Sequence, residues 1–234
     1  MTKAILHLRK ADPVLAGVID RVGPYGQQFA EPGFLALARA IVGQQLAGAA
    51  AATIWGRFHA LLDSRGSPAK SVLTIPIPKL RAAGLSGQKA AYIRDLAART
   101  ASGALRFNRL PAMSEQEVID ALTQVKGIGV WTAHMFLIFA LRRPDVLPVG
   151  DLGIRAAMKK AYGLTDLPKP AEMERIAQPW RPWTSIACWY LWQSLKPAPP
   201  TAPAAGKKPR GSSAPATRKA AGGTARAARL RSRR

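Results

Sequence analysis

The chain has one cysteine and three histidines in 234 residues, and 13 acidic residues against 35 lysines and arginines. A single thiol, Cys188, excludes an internal disulfide, and the expected compartment is the cytosol, beside the nucleoid in a bacterium. Cys188 sits in the apolar run S-I-A-C-W-Y-L-W and reads as a small buried side chain rather than a nucleophile. His7, His59 and His134 lie far apart with no cysteine or carboxylate at ligand spacing, so no site for a transition metal is expected. No apolar run reaches the length of a membrane span. The first ten residues hold only a short apolar patch broken by His7, too little for a secretion signal. Walker-type and dinucleotide-type glycine loops are missing, as is any internal repeat. Alternating strand patterns are almost absent, which leaves an all-α fold.

What is abundant is positive charge. The net charge is +22, and it is unevenly placed. Residues 197–234 carry ten basic residues and no acid, in a background dominated by Pro, Ala, Gly and Ser with no aromatic. Such a segment buries too little apolar surface to offset its ordering entropy, so a disordered basic tail is expected after a folded domain spanning residues 1–196. The body itself retains 25 basic against 13 acidic residues, a net of +12. Its expected partner is a polyanion, nucleic acid above all, and the tail is either a second weak contact for that polyanion or a solubilising extension.

Helical spacing runs through the body. Helices are predicted over residues 13–22, ended by Gly23-Pro24, and over 34–42, 49–62 and 89–100. In the third of these Thr53, Trp55, Phe58 and Leu62 form the expected stripe. Residues 67–78 are Pro-rich and read as irregular. Ser114 and Glu117 spell a capping box ahead of Val118, Ile119, Leu122 and Val125. Residues 131–141 are apolar nearly all round and should form the central buried helix. Segments 151–162 and 182–195 complete the set.

Three features in this frame carry chemistry. First, Lys126-Gly127-Ile128-Gly129 separates two helices, and the next helix starts at once. A Gly-apolar-Gly turn bares backbone N–H groups at a helix N-terminus, where the partial positive charge suits a phosphate. The plain reading, glycine ending a helix for backbone reasons, remains beside it. Second, Asp151 follows Pro148-Val149-Gly150 at the start of a helix. It is a good N-cap, and equally a carboxylate that a helix start aims into a cleft; the two roles coexist. Third, Trp180, Trp183, Trp189, Tyr190 and Trp192 cluster late in the chain. Trp189 and Trp192 read as core, whereas Trp183 at a helix entrance and Trp131 beside the hairpin are candidates for an aromatic pocket that stacks a nucleobase.

The stretch from Leu122 to Asp151 resembles the signature of the helix-hairpin-helix DNA glycosylase superfamily: hairpin, loop and aspartate at the family's spacing. Within it the chain is most similar to the DNA-3-methyladenine glycosylase II branch. Residues 40–46 (A-I-V-G-Q-Q-L), 84–97 (G-L-S-G-Q-K-A-A-Y-I-R-D-L-A) and 180–192 (W-R-P-W-T-S-I-A-C-W-Y-L-W) support that branch. The resemblance implies two helical subdomains flanking a DNA-binding cleft. It implies that Asp151 is the catalytic carboxylate. Backbone N–H groups of Gly127, Gly129 and Thr132, with Lys126 beside them, would hold DNA phosphate. Carbonyls of Thr123, Val125 and Gly127 would ligate a structural sodium or potassium ion, with no cofactor for catalysis. Trp131, Met135 (a tyrosine in some relatives) and Trp183 would border the base pocket. Gln44 and Gln45 would fill the gap left by the flipped nucleotide, with Gln45 or Leu46 as the wedge. Bifunctional relatives carry a Schiff-base lysine just after the hairpin; this chain has Trp131 there, and it lacks a four-cysteine cluster motif.

The activity so implied is removal of alkylated purines, 3-methyladenine or 7-methylguanine, from double-stranded DNA by a monomer without lyase activity. Two rivals remain: a glycosylase for another lesion, such as ethenoadenine or hypoxanthine, and a non-catalytic helix-hairpin-helix DNA-binding protein. Asp151 argues against the latter, because a carboxylate facing DNA repels phosphate. Deleting residues 197–234 is expected to weaken DNA binding at low salt and flatten its salt dependence, with single-turnover base release unchanged. An unchanged salt slope would refute a role for the tail in binding.

Overall fold

Capping residues and prolines punctuate the chain into short helices. The structure, a computed structural model, describes residues 1–63 and 65–197, and the expected tail lies outside the described residues. In chain order the helices are α1 (Thr2–Ala11), α2 (Pro13–Val22), α3 (Phe34–Gly43), α4 (Gly48–His59), α5 (Pro68–Thr74) and α6 (Ile77–Ala82). They continue as α7 (Gly87–Ala101), α8 (Glu115–Thr123), α9 (Val130–Phe139), α10 (Leu152–Tyr162), α11 (Pro170–Ala177) and α12 (Thr184–Ser194). Two 3-10 turns, Leu110–Ala112 and Gln178–Trp180, complete the regular structure, and no strand occurs among the described residues. The fold is all-α, as expected.

The expected start and stop signals hold in several places. Helix α2 covers the anticipated residues and stops at Gly23, whose φ is +86°. The capping box is complete: Glu117 N–H donates to Ser114 Oγ, and Ser114 N–H donates to the Glu117 carboxylate. Three expectations fail for identifiable reasons. Residues 67–78, read as irregular, contain α5 and the start of α6, because Pro68 and Pro78 fall in first turns where a missing N–H costs nothing. Helices α1 and α11 escaped notice because each buries only two residues four apart, Ala4 with Leu8 and Met173 with Ala177. Of the stripe expected on α4 only Phe58 is buried, and that helix ends at His59.

Two apolar cores result. The first is built from the middle of the chain, α3 to α9, with Leu37, Ile41, Ile93, Leu96, Leu122 and Leu137 at its centre. The second joins the two ends of the chain: α1 and α2 pack with α10, α11 and α12 through Leu8, Leu15, Met158, Trp180 and Tyr190. Trp192 packs against both. The loop before α3 is pinned to the end of α9 by Ala30 N–H donating to the Phe139 carbonyl at 2.9 Å.

Asp12 locks the second core. It is 7% exposed, and its carboxylate caps α2 by accepting from Leu15 N–H at 3.0 Å. The other oxygen accepts from Trp180 Nε1 at 2.8 Å and from the Tyr162 hydroxyl. Burial, with Asp12 alongside, pushes the Tyr162 hydroxyl far above its ordinary value, so it stays a donor. Asp12→Ala would strand a buried indole N–H and a hydroxyl and remove a cap. The expected cost is about 3 kcal/mol, read as a lower midpoint in urea unfolding at unchanged slope.

Candidate active site and nucleic-acid interface

The hairpin between α8 and α9 is fixed from the side by α7 and from above by α3. Gly127 has φ +81°, a region that side chains avoid, and a Cβ there would lie 2.1 Å from Cδ2 of Tyr92. Glycine is thus required twice over, by backbone conformation and by the α7 tyrosine packed on it. Gly129 is different. It N-caps α9 in an extended conformation, and a Cβ there would meet nothing within 4 Å. The open space in front of Gly129 is where a ligand backbone can approach. Asp95 on α7 accepts from Lys126 N–H at 2.9 Å and from Arg99 Nε at 3.0 Å. Burial alone would raise the Asp95 carboxyl, but these donors outweigh it and hold it below its usual range.

The first-turn N–H groups of α9 have no intrahelical partner, since the first bond of the helix is Ala133 N–H to the Gly129 carbonyl. Val130 and Trp131 are exposed there, 52% and 47%. Thr132 is only 5% exposed, so it can offer a phosphate no more than its backbone N–H. Lys126 is exposed at the turn. Two of the carbonyls expected to hold a cation already accept one bond each: Val125 from Ile128 N–H at 3.1 Å, Gly127 from Gln44 Nε2 at 2.8 Å. Each keeps a second lone pair, and neutral carbonyl oxygens suit a monovalent ion, so the donor set fits in kind.

The turn after α3 faces the hairpin. Lys89 on α7 donates to the Val42 and Gln44 carbonyls at 2.7 and 2.6 Å, closing the end of α3, and burial lowers its ammonium pKa. Gln44 spends its amide on the hairpin. Gln45, at φ +57°, and Leu46, 38% exposed, project free of such ties.

Asp151 N-caps α10 and is 7% exposed. Its Oδ1 accepts from Ile154 N–H at 2.7 Å and from Trp192 Nε1 at 2.9 Å. Its Oδ2 accepts from Trp131 Nε1 at 2.7 Å. Gly153 makes room for this arrangement: a Cβ there would lie 3.0 Å from Asp151 Oδ1 and 3.2 Å from the Trp192 ring. Trp192 also rests on Phe139, ring centroids 5.6 Å apart. Trp192, expected in the core, is half-buried against both cores and is also a direct partner of the carboxylate. An indole N–H among apolar neighbours demands an acceptor, and that demand was the available signal. Lys89, Tyr92 and Asp95 lay inside the stretch 84–97, but their individual tasks depend on tertiary contact and had no local mark.

Trp131 and Met135 stand one turn apart on α9. Met135 lines a cavity of about 210 Å³ between α9 and α3, with Phe136, Phe139, Ala36, Leu37 and Ala40. Trp183 lies elsewhere. It lines a separate cavity with Tyr25, Phe29 and Pro144, and that lining includes neither Trp131 nor Met135. The structure thus does not gather Trp183 with the other two pocket candidates. Trp183 N-caps α12, and its ring packs into the second core. Among the described residues no group of three His, Cys, Asp or Glu side chains is arranged to hold a metal, and no helix is long and apolar enough to cross a membrane.

An all-helical fold with a glycine hairpin feeding a helix N-terminus, and a capping carboxylate at the next helix start, defines a class of DNA-repair protein. Residues 38–182 match the model described as HhH-GPD superfamily base excision DNA repair protein, and the chain belongs to that superfamily. It is similar to DNA-3-methyladenine glycosylase 1 of Schizosaccharomyces pombe, 33% identical over 214 residues that cover 89% of this chain and 93% of the relative. The solved structure of S. pombe 3-methyladenine DNA glycosylase with abasic DNA matches at TM-score 0.72 and 32% identity, covering 82% of this chain and 95% of that one. The DNA-3-methyladenine glycosidase of Bacillus halodurans matches at TM-score 0.73 and 33% identity, over 82% of this chain and 88% of that one.

Gly127→Ala is expected to lower the melting temperature and weaken DNA binding. Adding Tyr92→Ala should recover the part owed to the clash but not the part owed to φ, a coupling readable as non-additive melting shifts.

Proposed function

We propose that this protein is a monofunctional DNA glycosylase that hydrolyses the N-glycosidic bond of alkylated purines, 3-methyladenine and 7-methylguanine among them. It acts as a monomer on double-stranded DNA after flipping the damaged nucleotide. The observation that carries the reading is the oriented carboxylate of Asp151, gripped by two indoles and its own helix at the start of α10.

A purine alkylated at N3 or N7 is cationic and leaves as a neutral base, so it needs little acid assistance. Positive charge develops on the sugar instead. A fixed anion stabilises that charge, and its open lone pairs can orient or deprotonate the attacking water. The Asp151 oxygens face only donors within the protein, which leaves them acceptors toward water and sugar. The hairpin glycines, Lys126 and the free N–H groups of α9 hold phosphate. Gln45 and Leu46 occupy the place of the extruded nucleotide, whose unstacking costs a few kcal/mol. The cavity lined by Met135, which stands one turn from Trp131 on α9, receives the base. With Trp131 after the hairpin no amine is available there for a Schiff base, which supports hydrolysis without strand cleavage. A sodium or potassium ion on the Thr123, Val125 and Gly127 carbonyls would stiffen the turn that binds phosphate. The similarity to S. pombe and B. halodurans enzymes named for 3-methyladenine supports the choice of lesion.

Single-turnover base release from methylated duplex DNA tests the reading. Asp151→Asn keeps a capping side chain, so the fold should survive. Release should fall by roughly 10²-fold or more with binding retained. No release by the wild type, with binding intact, would redirect the reading to ethenoadenine or hypoxanthine, or to a binding module. Trp192→Phe keeps the stack on Phe139 and removes one donor to Asp151. Release should fall by about tenfold without loss of affinity for abasic-site DNA, the scale of one bond to a charged group.

A further inference from the structure

The cavity between α3 and α9 is mostly apolar, and Arg39 is the one charged residue in its lining. Arg39 is exposed, whereas Ala36, Leu37, Ala40, Met135, Phe136 and Phe139 supply most of the wall, with the buried Thr132 as its other polar residue. Most arginines near the two cores are committed. Arg99 holds Asp95, Arg142 holds Glu31, Arg181 holds Asp145, and Arg143 donates to the Pro111 and Met113 carbonyls. Arg39 makes no ion pair and no hydrogen bond from its guanidinium to any described residue. Its one recorded partner is the face of Trp55, 5.9 Å from the ring centroid. An aromatic face holds a guanidinium by its plane and leaves the N–H edge available.

We infer that Arg39 is a phosphate-binding residue at the mouth of this cavity, taking the DNA backbone beside the nucleotide whose base enters it. The inference rests on the glycosylase reading, which puts a base in the cavity. The chemistry favours phosphate over the base edge. A guanidinium in contact with a cationic purine would repel it, whereas on the neighbouring phosphate it makes charge-assisted bonds. Arg39 is also on α3, the helix whose end leads into Gln44 and Gln45. It stands on a different helix from the hairpin and grips independently of it.

The test pairs Arg39→Gln with duplexes that carry one stable abasic-site analogue and a single neutral methylphosphonate, moved one phosphate at a time around the lesion. Arg39→Gln should weaken binding roughly tenfold at low salt and reduce the magnitude of the salt slope by about one. One methylphosphonate position should weaken the wild type to a similar extent and have no further effect on the variant. Arg39→Lys should restore the slope but not the full affinity, because the planar fork is lost. An unchanged salt slope, or losses that add at every phosphate position, would overturn the inference. Melting temperatures of both variants should match the wild type, as expected for an exposed side chain. Binding to the abasic analogue does not depend on base release. A protein that binds it in this way but releases no base would refute the glycosylase reading and leave the Arg39 contact standing.

Discussion

Three hydrogen bonds to one carboxylate hold the candidate site together. Asp151 accepts from the first turn of its own helix, from an indole on α9 and from an indole on α12. Trp131 reaches it from the helix of the hairpin, and Trp192, itself packed against both cores, from the last helix. Hairpin, capped helix and terminal helix are therefore positioned relative to one another through a single acceptor. Shift any of the three donors, and the orientation of the carboxylate shifts with it.

A second aspartate solves a purely structural problem in the same way. Asp12 also caps a helix and also accepts from an indole, but its third donor is a hydroxyl and every partner lies in the second core. The two carboxylates differ in how far their surroundings open to solvent. Around Asp12 the donors are buried or, at Tyr162, half-buried, and none is exposed. Beside Asp151 stand Trp131, 47% exposed, and Leu152, 64% exposed, so the site opens outward.

Much of this was legible in the sequence. The capping box, the stop at Gly23, the hairpin glycines and Asp151 as a cap are local features, written in a few adjacent residues, and the structure keeps them. The hairpin-to-aspartate spacing carried the family, which the match over residues 38–182 shows. What escaped was tertiary. Tyr92 against Gly127, Asp95 beneath Lys126 and Gln44 on the Gly127 carbonyl join residues 31 to 83 positions apart, and no periodicity marks them. Trp192 does pack against both cores, as its apolar helix suggested, but its tie to Asp151 was marked only by the need of its N–H for an acceptor. Trp183 was placed by analogy of position, and its ring went to a different cavity. The short helices in the proline-rich segment were hidden by a residue type that stops helices in their middle but starts them at their ends.

The second core has a further consequence, for the order of assembly. Asp12 finds its partners at Tyr162 and Trp180, 150 and 168 positions later. During synthesis α1 and α2 emerge first yet cannot complete their packing until α12 has been made, while the middle core, α3 to α9, has all its residues earlier. The two ends of the chain must wait for each other, and their closure is also the event that brings Trp192 onto Asp151. Completion of the Asp151 carboxylate's surroundings is thereby tied to completion of the polypeptide's folded body: a chain cut short before its last helix has the glycine hairpin but lacks one of the two indoles that orient Asp151.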